Sequence, residues 1–151
     1  MSLVELLGEK ICQKQENGEL VPVDTSTLVG SGRYVGIYFS AHWCPPCRMF
    51  TPVLAKFYKE FKEKNEGKLE IVFVSSDQTA DQFKDYYVKE MPWKCVPYED
   101  RERKEKLGEK YSVRGIPTFI ILDSETCEVV CKQGRNKVMD DSEGDEFPWR
   151  E

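Results

Sequence analysis

VGIYFSAHWCPPCRMF, residues 35–50, decides how this chain is read. Its first part is apolar and aromatic (Ile37, Tyr38, Phe39), as a buried strand requires. Ala41, His42 and Trp43 then lead to Cys44-Pro45-Pro46-Cys47, after which apolar residues recur at helical spacing. The order is strand, paired thiols, helix. Cysteines three apart in a first helical turn occupy neighbouring positions on one face. Their sulfurs can close to the roughly 2 Å of a disulfide without moving the backbone.

The start of the helix separates the roles of the two cysteines. Unpaired N–H groups and the positive end of the helix dipole favour a thiolate at Cys44, and the thiolate is the reactive form. Cys44 is therefore the expected nucleophile toward a disulfide. Cys47, one turn in and more enclosed, is expected to resolve the mixed disulfide that results. Pro45 and Pro46 lack N–H groups, fix φ and are tolerated in a first turn, so they stiffen the loop. The competing reading of such a pair is a zinc site, which takes about four ligands. The sole histidine, His42, belongs to the approach to the dithiol. Cys127 and Cys131 fall on an expected strand, where positions four apart are some 13 Å apart at about 3.3 Å per residue. The sequence therefore points to redox chemistry carried by two sulfurs, with no metal and no organic cofactor.

Beyond Cys47, the apolar residues Phe50, Leu54, Phe57, Tyr58 and Phe61 alternate with lysines and glutamates, predicting an amphipathic helix packed on a sheet. Leu69 to Val74 is a nearly unbroken apolar run and predicts a strand buried on both faces. Thr79 with Gln82 has the form of a capping box and opens a helix whose inner face is Phe83, Tyr86 and Tyr87, ending before Pro92. The segment MPWKCVPY (91–98) predicts an irregular buried loop in which Trp93, Pro97 and Tyr98 pack and Cys95 acts as a small hydrophobe. Glu99 to Lys110 predicts a surface helix of mixed charge. Phe119 to Leu122 and Glu128 to Lys132 predict an antiparallel pair joined by a turn. At the other end, Asn17-Gly18 between apolar segments predicts a hairpin within residues 1–23, and Asp24, Thr25 and Ser26 cap a brief helical turn. Residues 133–151 are expected to be a tail of loop or short helix. One domain spanning 1–151 is expected from this length.

WCPPC resembles the active site of the thioredoxin superfamily, and YSVRGIPTF (111–119) resembles the segment of that family whose isoleucine-proline bond is cis. The resemblance implies a three-layer α/β sandwich with a mixed central sheet flanked by helices, here with an N-terminal β-hairpin. It also implies that Pro117 is cis and faces Cys44, that the Ile116 backbone offers hydrogen bonds to substrate, and that Trp43, Pro45 and Pro46 form the surrounding contact surface. Pro52 stands where the family has a helix-kinking proline. Within the superfamily, IYFSAHWCPPCR, LEIVFVSSD, MPWKCVPY, GIPTFIILD and EFPW are most similar to the nucleoredoxin and tryparedoxin branch. Two positions depart from relatives. Tyr38 stands where ordinary thioredoxins bury an aspartate that serves the second cysteine, and Ser76 stands where tryparedoxins have a tryptophan.

The resemblance implies a thiol-disulfide oxidoreductase that reduces disulfide-containing protein substrates and is reset by an external dithiol or reductase. The alternative is a redox-regulated adaptor for signalling partners. The formal charge of −5 argues against nucleic acid as partner, which demands a basic face. No apolar stretch reaches the roughly 18 residues of a membrane span and no secretory leader is evident, so a cytoplasmic location, with a nuclear one also open, is expected. Reduced cysteines suit that setting.

Overall fold

In the computed structural model, which describes residues 1–151, the strand-dithiol-helix unit lies at the centre of a seven-stranded sheet. The central strand β3 (Tyr34–Ser40) pairs in parallel with β4 (Leu69–Ser75) and antiparallel with β6 (Thr118–Asp123). Beyond β6 lies β7 (Val129–Cys131), antiparallel to it. On the other side, β4 is followed by β5 (Lys94–Cys95) and then by β1 (Lys10–Lys14) and β2 (Leu20–Asp24), giving the order β2-β1-β5-β4-β3-β6-β7. The thioredoxin-like fold expected from the motifs is the fold observed.

Two apolar clusters cover the two faces of this sheet. One joins Tyr38, Phe73 and Phe119 to the inner faces of α2 (Pro45–Lys64) and α3 (Ala80–Glu90). The other joins Val35, Ile37, Phe39, Val72 and Val74 to α1 (Leu3–Leu7) and α4 (Arg101–Lys110). Alternate residues of β3 thus serve opposite layers, as period-2 geometry requires. Close packing explains Gly36: a Cβ there would lie 2.4 Å from the Phe119 ring.

Each expected element of the centre is present. Phe50, Leu54, Phe57, Tyr58 and Phe61 form the buried face of α2, with Pro52 inside the helix. The hairpin forms with Lys10 opposite Asp24 and Lys14 opposite Leu20, and Gly18 adopts φ 86 at its turn. Pro22 is tolerated because β2 is an edge strand.

The structure also departs from the sequence reading. The first residues form α1, closed by a capping box between Ser2 and Glu5. Residues 94–95 of the expected loop are β5, which bridges β1 and β4. A short 3-10 turn over Thr25–Leu28 lacks the expected side-chain cap, because Asp24 pairs with Lys10 instead. Only half of the Thr79 capping box forms. Thr79 accepts the Gln82 N–H at 3.1 Å, but the Gln82 side chain accepts from the Gln78 N–H. Cys127 lies outside β7 in a turn with φ 62, not on a strand shared with Cys131, and the two thiols belong to opposite apolar clusters.

The tail is part of the core. After α5 (Gly134–Asp140), Phe147 and Trp149 pack on Phe57 and Phe61. Asp141 accepts the Trp149 indole N–H at 2.9 Å and the Glu146 backbone N–H at 2.8 Å. The Phe147-Pro148 bond is cis.

Candidate functional site

Cys44 is the N-cap residue of α2, in extended conformation, and Pro45 and Pro46 fill the first two helical positions. The turn is pinned by the Cys44 N–H donating to Ala41 O (3.3 Å) and the Arg48 N–H donating to Cys44 O (3.1 Å). Pro45 and Pro46 are exposed on the rim. Cys47 is fully enclosed, and Cys44 is only 5% exposed. The expected difference in enclosure therefore has the right sign but is small.

The other motif residues surround this turn. The Ile116-Pro117 bond is cis, and the Cys44 thiol lies 3.7 Å from the Ile116 carbonyl oxygen, to which it donates. Trp43 is 52% exposed and fixed in place by its indole N–H, which donates to Ser76 O at 2.9 Å. It forms one wall of an open groove whose other side includes Arg114, Gly115 and Ile116, with Lys104 and Glu109 from α4 at its edge. The groove thus offers an aromatic plate and charges of both signs next to the dithiol turn. Arg48 is exposed.

Beneath the dithiol lies a buried chain of hydroxyls. Ser40 Oγ and Tyr86 OH are 2.7 Å apart, Tyr86 OH and Thr51 Oγ1 2.6 Å, and Thr51 Oγ1 and Tyr38 OH 2.7 Å. Ser40 also reaches the Cys47 thiol. Burial, reinforced by the adjacent Cys44 sulfur, pushes the Cys47 thiol up to about 11. Burial pushes Tyr86 up to about 12 and Tyr38 higher still. All three groups are thus held neutral near pH 7. Tyr38, where the resemblance to thioredoxins would place a buried acid, is a phenol joined to other hydroxyls. Tyr86 in turn packs against the half-buried His42 ring, at 5.3 Å between centroids, and His42 lies 4.0 Å from Glu90.

A second polar anchor holds the approach loop. The buried Asp77 carboxylate accepts the His42 N–H at 2.8 Å and the Ser75 hydroxyl at 2.6 Å. Sequence reasoning missed Ser40, Thr51 and Asp77, and took Tyr86 for core. The only available signal was Tyr38 itself, a polar tip in an apolar strand that must find a partner when buried. No group of three or more His, Cys, Asp or Glu side chains is arranged to hold a metal ion. No helix is long and apolar enough to cross a membrane.

Comparison with known proteins agrees with this geometry. A family model described as thioredoxin-like matches residues 32–129. Nucleoredoxin of Xenopus laevis is 51% identical over 126 residues, 83% of this chain and 29% of that protein. Tryparedoxin of Trypanosoma brucei brucei is 44% identical over 127 residues, 84% of this chain and 85% of that protein. A solved structure of tryparedoxin II complexed with glutathionylspermidine superposes with a TM-score of 0.85 at 35% identity, covering 95% of this chain and 93% of that one. The chain thus spans under a third of the nucleoredoxins it matches but nearly all of a tryparedoxin. It belongs to the thioredoxin-like family, in the branch that holds the nucleoredoxins and tryparedoxins.

Proposed function

We propose that this chain is a thiol-disulfide oxidoreductase module that reduces protein disulfides through Cys44 and Cys47. The observation that carries this reading is the pairing of an N-cap thiol beside the cis Ile116-Pro117 bond with a fully enclosed thiol one turn behind it. The Cys44 thiolate attacks a substrate sulfur, the substrate S–S bond breaks, and one substrate thiol leaves with a proton. Cys47 then attacks the Cys44 sulfur, releasing the second substrate thiol and leaving a Cys44–Cys47 disulfide. An external dithiol or reductase returns two electrons and two protons.

Cys47 must lose its proton for the second step, and a thiol raised to about 11 does not do so unaided. The proton goes to the departing substrate sulfur, and the Ser40 hydroxyl, held by Tyr86, hydrogen-bonds the Cys47 thiolate as it forms. Trp43, Pro45, Pro46 and the Ile116-Pro117 backbone make the contact surface for substrate. The structure of tryparedoxin II complexed with glutathionylspermidine supports thiol or disulfide ligands for this chain. The setting that suits such a reductase is a reducing compartment, cytoplasmic or nuclear.

The test is trapping. Cys47→Ser, incubated with a disulfide-bonded protein, should accumulate a Cys44-linked mixed disulfide visible by mass spectrometry, whereas Cys44→Ser should not. Equal trapping by both variants, or by neither, contradicts the assignment. Disulfide-dependent binding of a partner with no turnover would favour the adaptor reading.

A further inference from the structure

Outside the Cys44–Cys47 site, the chain holds a second pair of thiols in register. Cys12 of β1 and Cys95 of β5 are directly opposed in antiparallel pairing, and they are the one residue pair through which these strands are joined. Opposed residues in such a ladder have Cα atoms about 4.5–5.5 Å apart, inside the roughly 4.4–6.8 Å that a disulfide spans. Both side chains contribute to the same apolar cluster, and each thiol shifts the other's titration. Their accessibility differs: Cys95 is fully enclosed, whereas Cys12 is half-buried. No other thiol competes for either of them. Cys127 packs on the opposite face of the sheet, and Cys131 lies on β7, at the far edge.

We propose that Cys12 and Cys95 form a second redox site, closing a cross-strand disulfide on exchange with a low-molecular-mass disulfide of the glutathione type. The Cys12 sulfur attacks one sulfur of the small disulfide, whose S–S bond breaks, and the first small thiol leaves with the Cys12 proton. Cys95 then attacks the Cys12 sulfur and displaces the second small thiol, which takes the Cys95 proton. Two electrons pass from the cysteine pair to the small disulfide, and the reverse exchange reopens the bond. The electrostatics agree with this order. The neighbouring Cys95 thiol holds the Cys12 thiol below its ordinary value, while burial pushes Cys95 far up. The consequence is mechanical: the N-terminal hairpin becomes covalently fastened to the sheet at its narrowest joint.

The proposal stands apart from the activity assigned to Cys44 and Cys47, so it is tested without them. The Cys44→Ser/Cys47→Ser double variant is equilibrated with glutathione and glutathione disulfide at graded ratios, quenched in acid, alkylated and digested with trypsin without reduction. The expected product joins the peptide of residues 11–14 to that of residues 95–101, its yield rising with the share of glutathione disulfide, while free thiols fall from four to two. Wild-type protein treated in parallel should give the same cross-link, which guards against a folding defect in the double variant. Protein that keeps Cys12 and Cys95 alkylated, or that carries glutathione on Cys12 without the cross-link, overturns the proposal.

Discussion

The Ser40 hydroxyl on β3 and the Tyr86 hydroxyl on α3 meet at 2.7 Å, fully buried, directly beneath the thiol of Cys47. This contact connects the enclosed sulfur to the rest of the hydroxyl chain. Tyr86→Phe keeps the ring packing and removes only the link. Resolution of the mixed disulfide should then slow by about tenfold, the rate equivalent of about 1.4 kcal/mol for one lost hydrogen bond, while alkylation of Cys44 keeps its rate. Single-turnover kinetics with a fluorescent disulfide substrate separate the two steps. Equal slowing of both would mean that Tyr86 is structural only.

The buried thiols make the reduced protein sensitive to alkali. Burial, with Cys44 adding to it, raises Cys47 from 9.0 to about 11, and burial raises Cys131 from 9.0 to about 11. The unfolded chain releases these protons from about pH 9, whereas the folded chain holds them to about pH 11. The stabilisation is therefore complete below pH 9 and is lost as pH rises to 11. Two pKa units correspond to up to about 2–3 kcal/mol per group. Urea unfolding of the reduced protein between about pH 8 and pH 10.5 should show this fall, and Cys47→Ser should make it shallower.

Trp149 packs against Phe57 and Phe147, and its indole N–H is held by Asp141. Trp149→Ala should cost about 3–5 kcal/mol, as for other large aromatic truncations in cores, measured as a lower urea midpoint with an unchanged slope. A loss below about 1 kcal/mol would show that the last residues do not belong to the core.

Asp77→Ala strips the His42 N–H and the Ser75 hydroxyl of their acceptor. Leaving the buried Ser75 hydroxyl without an acceptor costs about 1–3 kcal/mol. Because His42 N lies two residues before Cys44, turnover should fall with stability. Full activity in a folded Asp77→Ala protein would show that the loop is held without it.

The centre of the fold was legible because its signals are local. An apolar run, a dithiol and a helical stripe adjoin each other in residues 35–64, and the positions of Cys44, Cys47, Trp43, Ile116 and Pro117 around one turn follow from motifs. The features that escaped are set by distant partners. β5 has two residues and exists only because β4 and β1 flank it. Phe147 and Trp149 sit in a Gly- and Asp-rich tail whose local composition reads as loop, and their burial comes from α2. The hydroxyl chain needs α3 to be packed so that Tyr86 meets Ser40 of β3, and no spacing in the sequence encodes that meeting. α1 is too short for periodicity to register, although Ser2 and Glu5 carried its capping signature.

The central claim is that Cys44 and Cys47 together turn over protein disulfides. Steady-state reduction of a model protein disulfide with dithiothreitol as donor, comparing wild type with Cys44→Ser and Cys47→Ser, tests it most directly. The account predicts many turnovers by wild type and their loss in both variants. Wild-type rates no higher than those of the variants would contradict it.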